Sequence, residues 1–397
     1  MSFINKKYVE IKSVLRKRAT CETYFPAKYS FSPYRACEHS CKYCDGRSER
    51  YYIEGDFEKD IIIRKNLVDV LSLELEKNRE FGLISIGSGV SDPYQGVEKD
   101  EKITRRALEA IYDKGFPCSI MTKSSLVKRD LDIIEKIDKK NGFYLMMSIT
   151  SLDDKLGKIF EPNAPPFSKR IETLKIFKEK GLKIGVLAMP FLPHITDNRD
   201  NILSLFEKLK EINVDFIMPG GLTLRPGVQK ETFMKTVSSY YSELTDKYLT
   251  LYGEERPSGT PLYSYAKILF DFLYKNILNL NIPVEVPHYV YKGKFANYDE
   301  TFILLNHLKD IYSRRGEDIS RLNKSILLYE KLLSQWREIL SKNRKTNYKV
   351  VEQKFVESIK NGELSRALQN DKLARFINEA IVENKIFDYL KRSFITP

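Results

Sequence analysis

From residue 28 onward, short apolar runs rich in β-formers alternate with longer stretches whose apolar residues recur every three to four positions. That alternation is the pattern of successive βα units. An extended segment at 28–31 and apolar runs at 83–86, 118–121, 143–149, 184–189 and 216–218 predict six strands. Helical periodicity at 67–77, 104–114, 131–137, 168–180 and 201–210 supplies the connections. Six strands in this order predict an α/β fold built on a partial (β/α)6 TIM-type barrel, a class that places its chemistry at the C-terminal ends of the strands. Beyond residue 227 the period is helical, at 230–251 and 265–280, with a polar Gly/Pro loop at 253–261. The expected organisation is an N-terminal extension (1–25), a core barrel (26–227) and a mainly helical C-terminal region (228–397).

The polar residues gather where the predicted strands end. They are Gly87, Ser88, Gly89, Ser91, Asp92 and Tyr94 after the second strand, and Thr122, Lys123 and Ser124 after the third. Ser148, Thr150 and Ser151 follow the fourth, Pro190, Pro193 and His194 the fifth, and Gly220, Gly221 and Arg225 the sixth. Each taken alone fits a turn or a helix cap equally well; their shared position is what marks a site.

Charge and cysteine usage narrow the class. The 397 residues carry a formal net charge of +12, which favours polyanionic partners, with nucleic acid the first candidate. After residue 300 there are 19 Lys and Arg against 12 Asp and Glu, which reads either as a phosphate-contacting surface or as a solvated helical face. No stretch approaches the roughly 18 unbroken apolar residues of a spanning helix, and residues 2–18 are polar and basic rather than a secretory leader. A soluble cytoplasmic protein without a membrane partner is expected. Five cysteines in so long a chain do not make a disulfide scaffold.

Three of those cysteines stand together as Cys37-x-x-x-Cys41-x-x-Cys44. Zinc prefers four ligands, often in paired clusters; there is no second cluster, and His39, packed between two of the thiols, strains a tetrahedral site. Four thiolates saturate a [4Fe-4S] cluster, so three leave one iron open for an exogenous ligand. Cys21 and Cys118 stand alone and read as ordinary buried thiols.

This spacing, with the aromatic Tyr43 before the last cysteine, resembles the signature of the radical S-adenosylmethionine (SAM) superfamily. Ser32-Pro33-Tyr34-Arg35-Ala36, Thr122-Lys123-Ser124 ahead of Arg129-Asp130-Leu131, and Glu161-Pro162-Asn163-Ala164-Pro165-Pro166 ahead of Arg170 are together similar to its spore photoproduct lyase-like branch, over about residues 26–225. The resemblance implies a [4Fe-4S] cluster on Cys37, Cys41 and Cys44. It implies SAM bound by Tyr43, by Gly87, Ser88, Gly89 and Ser91, by Lys123 toward the carboxylate and by Ser148 toward the ribose. An electron donor such as flavodoxin or ferredoxin is implied as well.

One departure stands out. Where the lyases keep a hydrogen-donor cysteine, this chain has Gly89, so repair of the lyase type is not expected. Tyr94, Tyr289 and Tyr291 are candidates to relay a radical. The leading expectation is a radical SAM enzyme acting on nucleic acid. One alternative is radical modification of a peptide or small metabolite, with Arg225 and Lys292 or Lys294 on an anionic group. The other is a zinc-stapled nucleic-acid-binding protein without catalysis.

Overall fold

The computed structural model describes residues 4–78, 80–87, 89–342 and 347–396. It divides into two compact units, neither contiguous in sequence. The first comprises Met1–Val14, Phe31–Leu73 and Ile86–Val284, the second Leu15–Ser30, Glu74–Ser85 and Glu285–Pro397.

In the first unit four parallel strands lie side by side in the order Phe216–Gly221, Lys183–Phe191, Phe143–Ser148, Cys118–Thr122. Helices connect them, among them Leu131–Asn141, Phe167–Glu179 and Arg199–Ile212. Phe143–Ser148 is buried at every position, which is why it reads as an unbroken apolar run rather than an alternating one. Helix starts carry side-chain caps: Ser124 accepts from the Leu126 amide, Asp153 from Lys155 and Asn198 from Asn201. A smaller sheet pairs Asn5–Val9 with Asp60–Arg64 in parallel and Asp60–Arg64 with Tyr34–Arg35 antiparallel. It ends two residues before the first clustered cysteine. The stretch 230–251, expected to be helical, is Val228–Tyr240, a 3-10 turn at Ser242–Leu244, and Thr245–Tyr252.

In the second unit Arg16–Glu22 pairs antiparallel with Ala27–Phe31 over residues 16–30. The long helices Asn297–Arg314 and Ser320–Lys342 are followed by shorter ones and a closing hairpin of Ile386–Asp388 with Ser393–Ile395. Charge is buried here. Lys28, with no exposed surface, stands 2.7 Å from Glu80 and 3.1 Å from Asp299, and Asp299 also pairs with Arg337. Each predicted strand appears within a few residues of its expected bounds. Four polar or short strands, Asn5–Val9, Arg16–Glu22, Tyr34–Arg35 and Asp60–Arg64, and the closing hairpin add to them. Among the described residues no helix is long and apolar enough to cross a membrane.

Candidate functional site

The three clustered cysteines share one tight loop in the first unit. Cys37 and Cys41 are buried and Cys44 is partly exposed. The Cys37 amide donates to Phe57 O (3.1 Å), Ser40 N to Cys37 O (3.2 Å) and Cys44 N to Cys41 O (3.3 Å). To turn this sharply, Ala36 and Ser40 adopt left-handed backbone with φ of 63° and 55°, a cost of about 1 kcal/mol or more each that surrounding contacts must offset. Those contacts come from two segments far away in sequence. The Ser91 hydroxyl and Gln95 amide both donate to Ala36 O, and Gln95 Oε1 accepts from the Glu38 amide. From the other side, Lys42 N donates to Phe160 O, and Asn163 Nδ2 donates to Glu38 O and Ser40 Oγ.

Burial raises all three thiol pKa values, that of Cys41 up to about 12. The metal-free loop therefore holds neutral thiols, and a metal must displace their protons. Among the described residues no three His, Cys, Asp or Glu side chains are gathered to hold a metal ion. Three thiols on one loop are the donor chemistry that would hold an iron-sulfur cluster.

Around this loop stand the strand ends. Gly87 has φ of 103°, and its amide donates to Phe31 O at 3.0 Å. A Cβ there meets Met121 O at 2.7 Å, so only glycine fits. Cys44 Sγ lies 3.8 Å from Gly89 O, and a Cβ on Gly89 meets nothing within 4 Å. Ser88 lies outside the described residues. The Ser91 hydroxyl is engaged with Ala36 O, as above. Asp92, one of the polar residues marked after the second strand but given no individual role there, accepts from Thr122 Oγ1 (2.6 Å) and from the Lys123 amide (2.7 Å), which fixes the backbone from which Lys123 projects.

The Lys123 ammonium lies 5.8 Å from the centre of the Tyr43 ring, a cation–π distance. Among the described residues it has no hydrogen-bond or ion-pair partner. Burial acts against its charge, yet acidic neighbours, the Glu161 carboxylate among them, outweigh burial and the pKa moves up. The Tyr43 hydroxyl donates to Glu161 Oε1, and Glu161 Oε2 pairs with Arg170. Arg170, almost wholly buried, also donates to Ser148 O and Pro165 O, both at 2.9 Å. Burial raises the Glu161 pKa, but Arg170 and Lys123 more than cancel that and hold it below the usual carboxylate range. In the sequence Glu161 and Arg170 stand only within the stretch that carries the family resemblance, and nothing local ties either to a tyrosine more than a hundred residues away.

The remaining candidates scatter. Tyr94 is buried with its hydroxyl 3.0 Å from Asp130 and Arg129 against its ring. Arg225 donates to Asp45 Oδ1 (2.6 Å) and Pro257 O (2.7 Å), bracing the residue that follows Cys44. Tyr289, Tyr291, Lys292 and Lys294 all belong to the second unit. There Tyr291 bonds Tyr389 and Lys292 donates to Ala380 O. Cys21 and Cys118 are buried and unbridged.

Residues 31–206 match the radical SAM superfamily. Over 191 residues the chain is 34% identical to an uncharacterized protein of Methanocaldococcus jannaschii, spanning 48% of this chain and 70% of that one. Over 248 residues it is 28% identical to an uncharacterized protein of Mycobacterium tuberculosis, spanning 61% and 72%. Among solved structures, spore photoproduct lyase with bound AdoMet and dinucleoside spore photoproduct superposes with a TM-score of 0.50. That match has 17% identity and covers 69% of this chain and 79% of the other, a likeness of fold.

Proposed function

Because the chain belongs to the radical SAM superfamily, we propose that Cys37, Cys41 and Cys44 hold a [4Fe-4S] cluster and that Lys123, Gly87, Gly89 and Ser148 receive SAM beside it. When bound and reduced, the cluster supplies the electron that cleaves SAM to methionine and a 5'-deoxyadenosyl radical, which takes a hydrogen atom from the substrate. The observation that carries this reading is the Lys123 ammonium, which among the described residues has no hydrogen-bond or ion-pair partner and is set at a strand end on the face of Tyr43. A compact cation there matches a carboxylate, and SAM carries one. Gly87 lets backbone approach a ligand where any side chain collides with Met121 O. Asp92 holds the Lys123 backbone in place, and the apolar cluster of Phe160, Leu222, Leu224, Phe233 and Tyr248 packed with Cys41 and Tyr43 keeps water from one side of the loop.

The proposed substrate class is nucleic acid, supported by the net charge of +12. With glycine at position 89, hydrogen return by a thiol there is unavailable, so the reaction differs in its last step from that of the lyases the sequence resembles. The small-anion reading loses support, since Arg225 is engaged with Asp45 and Lys292 with Ala380 O. A reducing cytoplasm suits such a cluster.

The test is anaerobic reconstitution with iron and sulfide, reduction with dithionite in the presence of SAM, and chromatography for 5'-deoxyadenosine, with and without DNA or RNA. The expected result is product that depends on all three cysteines, with Cys41→Ala losing both the cluster and cleavage. A full cluster in Cys41→Ala, or zinc in place of iron and sulfide in the wild-type protein, overturns the reading.

A further inference from the structure

We propose that Tyr43 is a positioning residue through which occupancy of the SAM pocket is felt at the cysteine loop, with Glu161 and Arg170 holding it for that role. The inference rests on the cluster and SAM reading above. Tyr43 sits between Cys41 and Cys44 in sequence, and each side of it is engaged by a different element. Its ring face carries the Lys123 ammonium, from the end of Cys118–Thr122. Its hydroxyl is bonded to Glu161, and its backbone carbonyl accepts from Gln229 Nε2 at 3.0 Å. Glu161 is bonded in turn to Arg170, which reaches Ser148 O at the end of the next strand. Lys123, Tyr43, Glu161 and Arg170 thus form a row that joins two adjacent strand ends through the residue between two cysteines.

A fastening alone does not explain this row. The loop is already held by Ser91, Gln95, Asn163 and the backbone bonds of Cys37 and Lys42. A buried ion pair is also a poor fastener, because desolvation offsets most of its attraction and well-packed apolar side chains often serve as well. The charges gain a purpose if their balance changes on binding. In the free protein Glu161 feels both Arg170 and Lys123. A carboxylate arriving at Lys123 neutralises that cation, weakens its hold on the Tyr43 face, and leaves Glu161 to Arg170 and the phenol. The ring between Cys41 and Cys44 then settles against Glu161, and the environment of their sulfurs changes with it.

The experiment uses the full chain, reconstituted and reduced, as wild type and as Tyr43→Phe, which removes one hydroxyl and leaves the Glu161–Arg170 pair intact. Iron content, SAM affinity by equilibrium dialysis, the electron paramagnetic resonance of the reduced cluster with and without SAM, and 5'-deoxyadenosine formation are read. The expected result is wild-type iron content and SAM affinity within about threefold, a lost or altered SAM-induced spectral change, and cleavage slower by about tenfold to a hundredfold, the worth of a hydrogen bond to a charged group. Glu161→Gln is expected to change the spectrum in the same sense; should it fail to fold around the orphaned Arg170, Tyr43→Phe carries the test alone. A Tyr43→Phe protein with wild-type spectra and rate overturns the inference. So does one that merely loads less iron while its loaded fraction is spectroscopically wild type. Failure of the underlying reading looks different: the wild-type protein itself then shows no cluster or no cleavage.

Discussion

Gly87 and Gly89 lie two residues apart and carry opposite constraints. Gly87 combines φ of 103° with a Cβ position 2.7 Å from Met121 O, whereas the space beyond Gly89 is open. Gly87→Ala is expected to cost roughly 1–3 kcal/mol, from left-handed strain and backbone collision. Gly89→Cys is expected to stay within about 0.5 kcal/mol of wild type, as substitutions without a named fault usually do. Urea titrations of the two variants check the contrast, and equal losses refute it. Gly89→Cys also restores a thiol where the lyase-like resemblance expects one, so its products under reducing conditions with SAM bear on the missing hydrogen donor. Lys123→Ala is expected to weaken SAM binding by about tenfold or more while iron content stays intact, since among the described residues the ammonium has no hydrogen-bond or ion-pair partner. Unchanged affinity removes Lys123 from the site.

At the scale of elements, neither the cysteine loop nor the C-terminal hairpin is held by its own sequence neighbourhood. The loop's two left-handed residues are stabilised by side chains from 91–95 and 161–163. This gives the Glu161-Pro162-Asn163 stretch a local purpose, holding the loop, apart from any contact with a ligand. The hairpin is fastened through histidines. Phe387 N donates to His288 Nδ1 at 3.0 Å, which leaves the proton on Nε2 for Glu300. His307 in Asn297–Arg314 donates from Nε2 to Thr23 O and accepts at Nδ1 from the Tyr389 hydroxyl. Burial, against a smaller opposing effect of the Thr23 carbonyl, lowers the His307 pKa from 6.5 to about 4. Since the folded pKa lies below the unfolded one, the neutral ring contributes stability that is present above about pH 6.5 and lost as the pH falls toward 4. Two and a half units correspond to about 3 kcal/mol. Thermal midpoints measured between pH 7 and 4 should therefore fall more steeply for wild type than for His307→Gln, and parallel profiles count against the assignment.

For the whole molecule, the decisive feature is that each unit is assembled from separated stretches of chain. Residues 15–30 and 74–85 belong with 285–397. Lys28, fully buried, depends on Glu80 and on Asp299 more than 270 residues later. Removing one partner of a buried ion pair costs about 3–5 kcal/mol, and truncation after Val284 removes Asp299 together with the helices around it. A chain of residues 1–284 is therefore expected to lose cooperative unfolding and to bind hydrophobic dye. A soluble fragment with a wild-type midpoint speaks against this division.

The six predicted strands, the helices between them and the clustering of three thiols on one loop were legible in the sequence, because buried strands, amphipathic helices and closely spaced cysteines each impose a local pattern. Lys123 was legible for a similar reason, as a charge placed directly after an apolar strand. Asn5–Val9 and Arg16–Glu22 escaped because they are mostly exposed, Asn5–Val9 without a fully buried position and Arg16–Glu22 with only one, so no apolar alternation marks them. The division of residues 15–30 and 74–85 into the second unit escaped as well, and so did the partners of Tyr43, Lys28 and His307. These are contacts between residues tens to hundreds of positions apart, set by which buried charges and hydroxyls must satisfy one another once the chain has collapsed. Sequence determined the elements; only the tertiary structure decided which side chains were left over, with the Lys123 ammonium, among the described residues, free of hydrogen-bond and ion-pair partners and Tyr43 engaged through its ring, hydroxyl and carbonyl.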